Sequence, residues 1–203
     1  MSKGAEDGAP VVACLALGAN LGDRAAMLRA AIDRIAACEG FELLAVSSFY
    51  DTAPVGPPDQ PRYLNAAATV ATRLGPREVL ERLLAIERAL GRERNGTRWS
   101  ARTIDLDLVL HGDAVLREGG DEVVGMGLEV VPGEALGLAL GLALDVALDV
   151  ALEVPHPRFR ERAFVLVPLA EIAPDARDPV TGERVESLLR ACPGRAEVVR
   201  AEA

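Results

Sequence analysis

The chain has 203 residues, 50% of them apolar, and a formal net charge of −9. A chain of this size can bury a core without disulfides or structural metal. The negative charge disfavours general nucleic-acid binding, which normally needs a basic surface. Its 3 cysteines are widely spaced and form no CxxC pair, so neither a disulfide framework nor a zinc site is predicted. We expect a single cytoplasmic domain, residues 1–203, with no nucleic-acid partner.

Two apolar stretches need a separate explanation. Val11–Leu17 follows acidic residues and lacks the basic region that precedes a signal-peptide core. The stretch from Ala135 to Leu152 contains Asp145 and Asp149, and each aspartate costs roughly 2.5–3.5 kcal/mol at a bilayer centre. We therefore predict a buried first strand and no membrane partner.

Strand and helix patterns alternate along the first half of the chain. Apolar residues three and four apart mark two helices, and glycine and proline clusters separate them from strand-like runs. The predicted elements, in chain order, are strand Val11–Leu17, a turn from Gly18, a helix from the N-cap Asp23 to about Cys38, strand Phe41–Tyr50, irregular loop Asp51–Arg62, strand Tyr63–Thr72, a helix from Pro76 to Gly91 and strand Ile104–Leu110. This βαββαβ order predicts an α+β, ferredoxin-like sheet with helices packed on it.

A low-complexity insertion, about residues 117–152, precedes the turn Pro155-His156-Pro157. Residues 137–152 consist of tandem tetrads, Gly-Leu-Ala-Leu and then Asp-Val-Ala-Leu, which indicate an expanded repeat. Beyond the turn, we expect partial helix in Glu161–Ile172 despite Pro168 and a short helix at Glu186–Ala191. The last residues are expected to fray.

Asp105 and Asp107 are two apart in the fourth predicted strand, so both side chains project from one face. Carboxylates held together in this way suit magnesium, which prefers oxygen ligands. A solvated strand face of alternating polarity would give the same pattern, and this alternative stays open.

The segment Arg88–Arg102 contains five arginines and one acid, a local charge of +4. Guanidinium groups suit phosphate oxygens, and cations beside metal-binding carboxylates are what phosphoryl transfer requires. A solvated basic loop paired with acidic neighbours is the alternative. The glycines from Gly18 to Gly22 lack the lysine of a P-loop, so a P-loop kinase is not predicted.

Aromatic residues are few and mostly accompany these segments. A flat heteroaromatic substrate would stack on such rings, and Tyr63, Trp99 and Phe164 are the better candidates. His156 fits a phosphate contact or a capped turn histidine equally well.

Together these segments resemble the 6-hydroxymethyl-7,8-dihydropterin pyrophosphokinase family. The resemblance runs from about residue 11 to 175, except at the repeat, and its most specific stretch is Arg-Thr-Ile-Asp-Leu-Asp-Leu. The stretches that carry it are Leu17–Asp23, Ser47–Gly56, Asp59–Ala66, Ile86–Arg92, Arg98–Asp107, Val154–Arg158 and Arg162–Leu166. Ala19 stands where serine is common in the family, and the repeat enlarges the connection before His156.

The resemblance implies a ferredoxin-like fold and transfer of the diphosphate of ATP to the pterin hydroxymethyl group, with AMP leaving. It implies ATP as co-substrate, two magnesium ions on Asp105 and Asp107, and phosphate contacts from Arg92 and Arg102. It further implies that the pterin lies between Tyr63 and Phe164, with Thr52, Val55 and Asn65 at its edge. The nucleotide side would be lined by Glu87, His156 and Arg162, with Arg94 and Trp99 on the loop that closes over the site.

Two other functions remain to be tested at this point. One is a ferredoxin-like RNA-binding module, which needs aromatic residues and positive charge on the central strands. The other is a kinase that transfers the γ-phosphate with the same metal and arginine groups. A complete site within one chain would allow the protein to act as a monomer.

Overall fold

The structure is a computed structural model, and it describes residues 9–54, 60–92, 102–118 and 151–201. Within these ranges the strands and helices, in chain order, are β1 (Val11–Ala19), α1 (Arg24–Ala36), β2 (Phe41–Val46), β3 (Tyr50–Thr52), β4 (Tyr63–Thr72), α2 (Pro76–Ala89), β5 (Asp105–His111), β6 (Leu116–Glu118), β7 (Leu152–Val154), α3 (Ala163–Ile172), α4 (Val185–Ala191) and β8 (Val199–Arg200). In these ranges no helix is both long and apolar enough to cross a membrane.

The main sheet is antiparallel, with strand order β5-β1-β4-β3-β8, and β2 also pairs with β4. Strands β2 and β3 lie end to end along β4, opposite Thr72–Ala68 and Asn65–Tyr63. Counted as one interrupted strand, they complete the order of a ferredoxin-like sheet, which confirms the predicted α+β fold.

Local signals explain where the two long helices begin. The Asp23 carboxylate accepts a hydrogen bond from the Ala26 backbone N–H at 2.9 Å, as expected for an N-cap. Helix α2 begins at Pro76, where the missing N–H has no intrahelical partner to lose. The Glu78 carboxylate accepts from the Gly75 N–H at 2.8 Å, which secures the first turn.

The sheet is buried on both faces. Leu15 and Leu17 of β1 belong to the core between the sheet and helices α1 and α2. Cys14 and Ala16, which alternate with them, belong to a second core that includes residues of α3 and α4. Among the described residues, this three-layer arrangement covers most of both faces of the central strands, whereas an RNA-binding module uses an open sheet face.

Several predicted boundaries differ from the structure. Strand β1 continues through Gly18 to Ala19, beyond the predicted turn at Gly18, because β4 and β5 both pair with it at Gly18 and β4 also pairs with it at Ala19. The predicted strand Phe41–Tyr50 is divided into β2 and β3, and between them the Ser47 hydroxyl accepts from the Ala67 N–H at 2.9 Å. The chain end does not fray at Val199–Arg200, which pair with β3.

The insertion leaves and rejoins the domain at one place. Strands β6 and β7 are antiparallel, and Glu118 is the register partner of Leu152. The tetrads themselves, up to residue 150, lie outside the described residues. After β7, the His156 N–H donates to the Val109 carbonyl at 3.0 Å, so the chain returns beside β5 as expected.

Candidate active site

A cavity of about 550 Å³ opens over β1, β4 and β5, on the same side of the sheet as α3. Residues from widely separated parts of the chain line it, namely Ala16, Leu17, Gly18, Thr52, Ala53, Gln60, Tyr63, Asn65, Arg102, Asp105, Asp107, His156, Arg158, Arg162, Phe164 and Val165. Most of the predicted site residues within the described ranges are therefore brought together here.

Strand register sets the floor of the cavity. Gly18 of β1 is the register partner of Asn65 on one side and of Asp105 on the other. Ala16, two residues before it, is the partner of Asp107. Because alternate residues share a face, two small side chains lie beside the two carboxylates and leave space above them.

The Asp105 carboxylate is held by two arginines. Its Oδ2 accepts from Nη1 of Arg102 at 2.6 Å, and its Oδ1 forms an ion pair with Nη1 of Arg92. Arg92 also pairs with Glu87, which is only 1% exposed and whose Oε1 accepts from the Leu106 N–H at 2.8 Å. This network ties the end of α2 to the first residues of β5.

Arg92 and Glu87 are not among the residues that line this cavity, and their contacts with substrate stay a prediction. Arg92 directs its guanidinium to the buried carboxylate of Glu87 and to the partly exposed carboxylate of Asp105. Both residues lie behind Asp105 and fix its position.

Asp107 differs from Asp105 in its electrostatic surroundings. Burial raises the pKa of the Asp107 carboxyl to about 7, and the negative charge of Asp105 acts in the same direction. The positive charge of Arg162 opposes this shift. Two carboxylates in this arrangement are stabilised by a cation between them, whereas a solvated strand face would leave the pKa of Asp107 near its usual value.

The opposite side of the cavity carries the two aromatic rings, Tyr63 at the start of β4 and Phe164 at the start of α3. Beside them, the Asn65 amide donates to the Thr52 hydroxyl at 2.8 Å, and both of these side chains are buried. Rings next to fixed amide and hydroxyl groups suit a flat heterocycle with polar edges.

The turn after β7 supplies the third wall, with His156, Arg158 and Arg162. Burial and the charges of Arg162 and Arg158 lower the pKa of His156 to about 4, so the ring is neutral near pH 7. Its Nδ1 accepts from the Arg158 N–H at 3.3 Å, and its Nε2 lies 3.5 Å from Nη1 of Arg162, a group that can only donate. His156 thus stabilises the turn and lies against the guanidinium group of Arg162 in the cavity wall.

Sequence reasoning assigned no role to Asn20, Gln60 or Arg158. Asn20 is 2% exposed, and its Oδ1 accepts from the Arg102 N–H at 2.6 Å while its Nδ2 donates to Gln60 Oε1 and the Pro61 carbonyl, both at 3.4 Å. It therefore joins the two loops that flank the cavity. The sequence does show an asparagine directly after an apolar strand. It does not show the role of Asn20, because the partners of this side chain are distant in the sequence. The predicted residues Val55, Arg94 and Trp99 lie outside the described residues.

Sequence comparison gives a consistent result. The sequence model of the 7,8-dihydro-6-hydroxymethylpterin-pyrophosphokinase family matches residues 14–174. A 2-amino-4-hydroxy-6-hydroxymethyldihydropteridine pyrophosphokinase of Pseudomonas aeruginosa is 37% identical over 179 residues, which are 88% of this chain and 90% of that protein. A protein of the same name from Methylorubrum extorquens is 41% identical over 177 residues, 87% of this chain and 90% of the relative.

The fold is also similar to solved structures. A crystal structure of wild-type Plasmodium falciparum HPPK-DHPS superposes with a TM-score of 0.63 over 92% of this chain at 13% sequence identity. The present chain spans only 45% of that longer chain. At this identity the match supports the fold alone.

The α+β fold, the cavity and the relatives together define the chain as a transferase enzyme. It belongs to the 7,8-dihydro-6-hydroxymethylpterin-pyrophosphokinase family.

Proposed function

We propose that this protein transfers the pyrophosphoryl group of ATP to the hydroxymethyl group of 6-hydroxymethyl-7,8-dihydropterin, a step of folate biosynthesis. The observation that carries this proposal is one cavity that joins the paired carboxylates Asp105 and Asp107, the guanidinium groups of Arg102 and Arg162, and an aromatic side. Phosphates and a flat heterocycle would each find matching groups there.

The substrates would occupy opposite sides of the cavity. The pterin ring would lie between Tyr63 and Phe164, with Asn65 and Thr52 at its polar edge. Their mutual hydrogen bond at 2.8 Å fixes these two side chains before the substrate arrives. Arg162 and the imidazole ring of His156 would contact the phosphates of ATP. The contributions of Val55, Arg94 and Trp99 remain part of this proposal.

Magnesium fits the donor set. Asp105 and Asp107 offer carboxylate oxygens at alternate strand positions, and the described residues contain no cluster of three or more metal-binding side chains. Two ions held there would take their other ligands from phosphates and water, as magnesium usually does. When bound, they would supply positive charge to the phosphate oxygens.

In the transfer, the hydroxymethyl oxygen forms a bond to the β-phosphorus of ATP. The bond from that phosphorus to the oxygen bridging it to the α-phosphorus breaks, AMP leaves, and the hydroxyl proton passes to solvent. Arg102, which lines the cavity and donates to Asp105, would stabilise charge that develops on the phosphate oxygens. All of the residues named come from one chain, so we also propose that a monomer is active.

The test is an assay with purified protein, ATP, magnesium and the reduced hydroxymethylpterin, in which nucleotide products are separated by chromatography. Equal amounts of AMP and pterin diphosphate are expected, and both should disappear when the pterin or the magnesium is omitted. ADP as the product would instead identify a γ-phosphate kinase. Absence of any pterin-dependent nucleotide product would refute the proposed activity.

A further inference from the structure

Asp178 lies outside the cavity, in the segment that connects α3 to α4, and its side chain has no exposed surface. Its carboxylate accepts from Arg160 Nε at 2.6 Å and Arg160 Nη2 at 2.7 Å. It also accepts from the Thr181 hydroxyl at 2.7 Å and the Val180 N–H at 3.0 Å. These hydrogen bonds offset the cost of removing the carboxylate from water. The two bonds to one guanidinium group fix both its distance and its orientation.

The surrounding backbone makes this anchor rigid. The Asp178 N–H donates to the Glu183 carbonyl at 2.9 Å, and the Gly182 N–H donates to the Asp178 carbonyl at 2.8 Å. The turn that carries Asp178 is thus closed by its own hydrogen bonds. The backbone of this turn therefore fixes the position of the Asp178 carboxylate, independently of its contact with Arg160.

Arg160 connects the anchor to the cavity. It belongs to the 3₁₀ turn Phe159–Glu161, directly between Arg158 and Arg162, and both of those arginines line the cavity. On one side this turn is fixed by Phe159, which is buried in the core. On the other side it is fixed by the bond from Arg160 to Asp178, and the Arg162 carbonyl then accepts the first backbone bonds of α3.

We propose that Asp178 is a positioning residue for the nucleotide side of the cavity, acting through Arg160 to hold Arg158 and Arg162 in place. This inference rests on the proposed function, because it assumes that these arginines contact ATP. Neither Asp178 nor Arg160 lines the cavity. A buried ion pair adds little net stability compared with apolar packing. We therefore expect the pair of Asp178 and Arg160 to fix the position of the turn rather than to stabilise the fold.

The experiment compares Asp178→Asn, Arg160→Lys, the double variant and a control, Asp175→Asn. Asp175 is in the same connection and pairs with Arg184 at 3.1 Å, but its side chain is 80% exposed. Binding of an ATP analogue with a methylene bridge between the α- and β-phosphorus is measured by calorimetry with magnesium. Binding of hydroxymethylpterin alone is measured in parallel, and folding is checked by circular dichroism.

For Asp178→Asn we expect the Kd of the ATP analogue to rise about tenfold, because a displaced support residue commonly has an effect of this size. The Kd of the pterin should rise less than that of the ATP analogue, because Tyr63, Asn65 and Thr52 are carried by β3 and β4 and only Phe164 follows this turn. Asp175→Asn should behave like wild type. Arg160→Lys keeps the charge but loses the two-pronged contact, so it should show a smaller loss of the same kind. The double variant should be no weaker than Asp178→Asn, since both changes break one link.

Equal losses for both substrates, or additive effects in the double variant, would overturn the proposal. If Asp178→Asn does not fold, Arg160→Lys decides, and an unchanged Kd for the ATP analogue would refute the positioning role. The wild-type assay separates the two proposals. If the wild-type protein forms no AMP, the proposed function is wrong, whatever the variants show.

Discussion

Nη1 of Arg102 lies 2.6 Å from Oδ2 of Asp105, three residues further along the chain, where β5 begins. Arg102 therefore lies at the junction between the arginine-rich loop and the first of the paired carboxylates. Under the proposed function, Arg102 would exchange its carboxylate partner for a phosphate oxygen when ATP and magnesium bind.

Arg102→Ala should reduce turnover more than it weakens ATP binding. A contact that strengthens as charge develops acts on the barrier, and comparable donors contribute roughly 2.7–4 kcal/mol. Steady-state kcat and the Kd of the ATP analogue provide the comparison, with Arg34→Ala on the exposed side of α1 as the charge-matched control. A weaker ATP affinity with unchanged kcat would contradict this assignment.

Asp105→Asn and Asp107→Asn should each reduce magnesium-dependent transfer by about a hundredfold or more, because each removes a carboxylate from a site that must hold cations. Both variants should remain folded. Arg92 keeps its ion pair with Glu87 when Asp105 is neutral. The assay is run across magnesium concentrations, with the exposed Asp113→Asn as control. Activity within about tenfold of wild type in both variants would refute the metal assignment.

Gly18→Ala should weaken pterin binding. An added Cβ would lie 3.2 Å from Oδ1 of Asn65 and 3.9 Å from a ring carbon of Tyr63, so the amide must shift by a few tenths of an ångström. We expect the Kd of the pterin to rise about fivefold to tenfold, since the amide loses its fixed geometry, while the ATP analogue binds nearly as in wild type. Gly75→Ala, where the added Cβ meets nothing closer than 3.5 Å, is the matched control. Pterin affinity equal to wild type would show that Asn65 does not set it.

His156 should remain neutral at physiological pH. Burial and its arginine neighbours lower its pKa to about 4, against an unfolded value of about 6.5. Between these values the unfolded chain binds the proton and the folded chain does not. The free energy of unfolding should therefore be highest above about pH 6.5 and decrease as the pH falls toward 4.

Two measurements check this behaviour. The imidazole Hε1 signal of His156, followed by NMR, should titrate with a midpoint near pH 4. Chemical denaturation at a series of pH values should show a shallower decline for His156→Gln than for wild type. A midpoint above about pH 6 would mean that the ring is solvated and free to take up a proton.

Deletion of residues 119–144 should keep pyrophosphoryl transfer within about tenfold, an allowance of roughly 1.4 kcal/mol in the barrier. Glu118 and Leu152 are register partners, so the residues that remain between them need only form a short connection. Shortening a surface connection changes loop-closure entropy by about 0.6 kcal/mol per halving of length. A soluble, folded deletion variant that no longer binds ATP would instead place the repeat in the nucleotide site.

Local sequence patterns were sufficient for the elements and for much of the site. Spacing of three and four residues marked α1 and α2, and a strand-like run after the proline-rich loop marked β4 with its observed bounds. The paired carboxylates followed from spacing within one strand, since residues two apart share a face whatever surrounds them. The βαββαβ order then restricted the sheet to few topologies.

Cross-strand register and packing decided the rest. Nothing near Gly18 in the chain indicates that it lies between Asn65 and Asp105, and nothing near Arg92 indicates that it faces Glu87 rather than the cavity. The contact between Arg160 and Asp178 likewise depends on how the segment after α3 folds back. By itself the sequence determined the fold class, the family resemblance and the placement of two carboxylates on one strand face, because these rest on local motifs, periodicity and spacing. Which side chains line the cavity and which support them from behind was decided by the tertiary structure, because partners distant in the chain compete for each charged group.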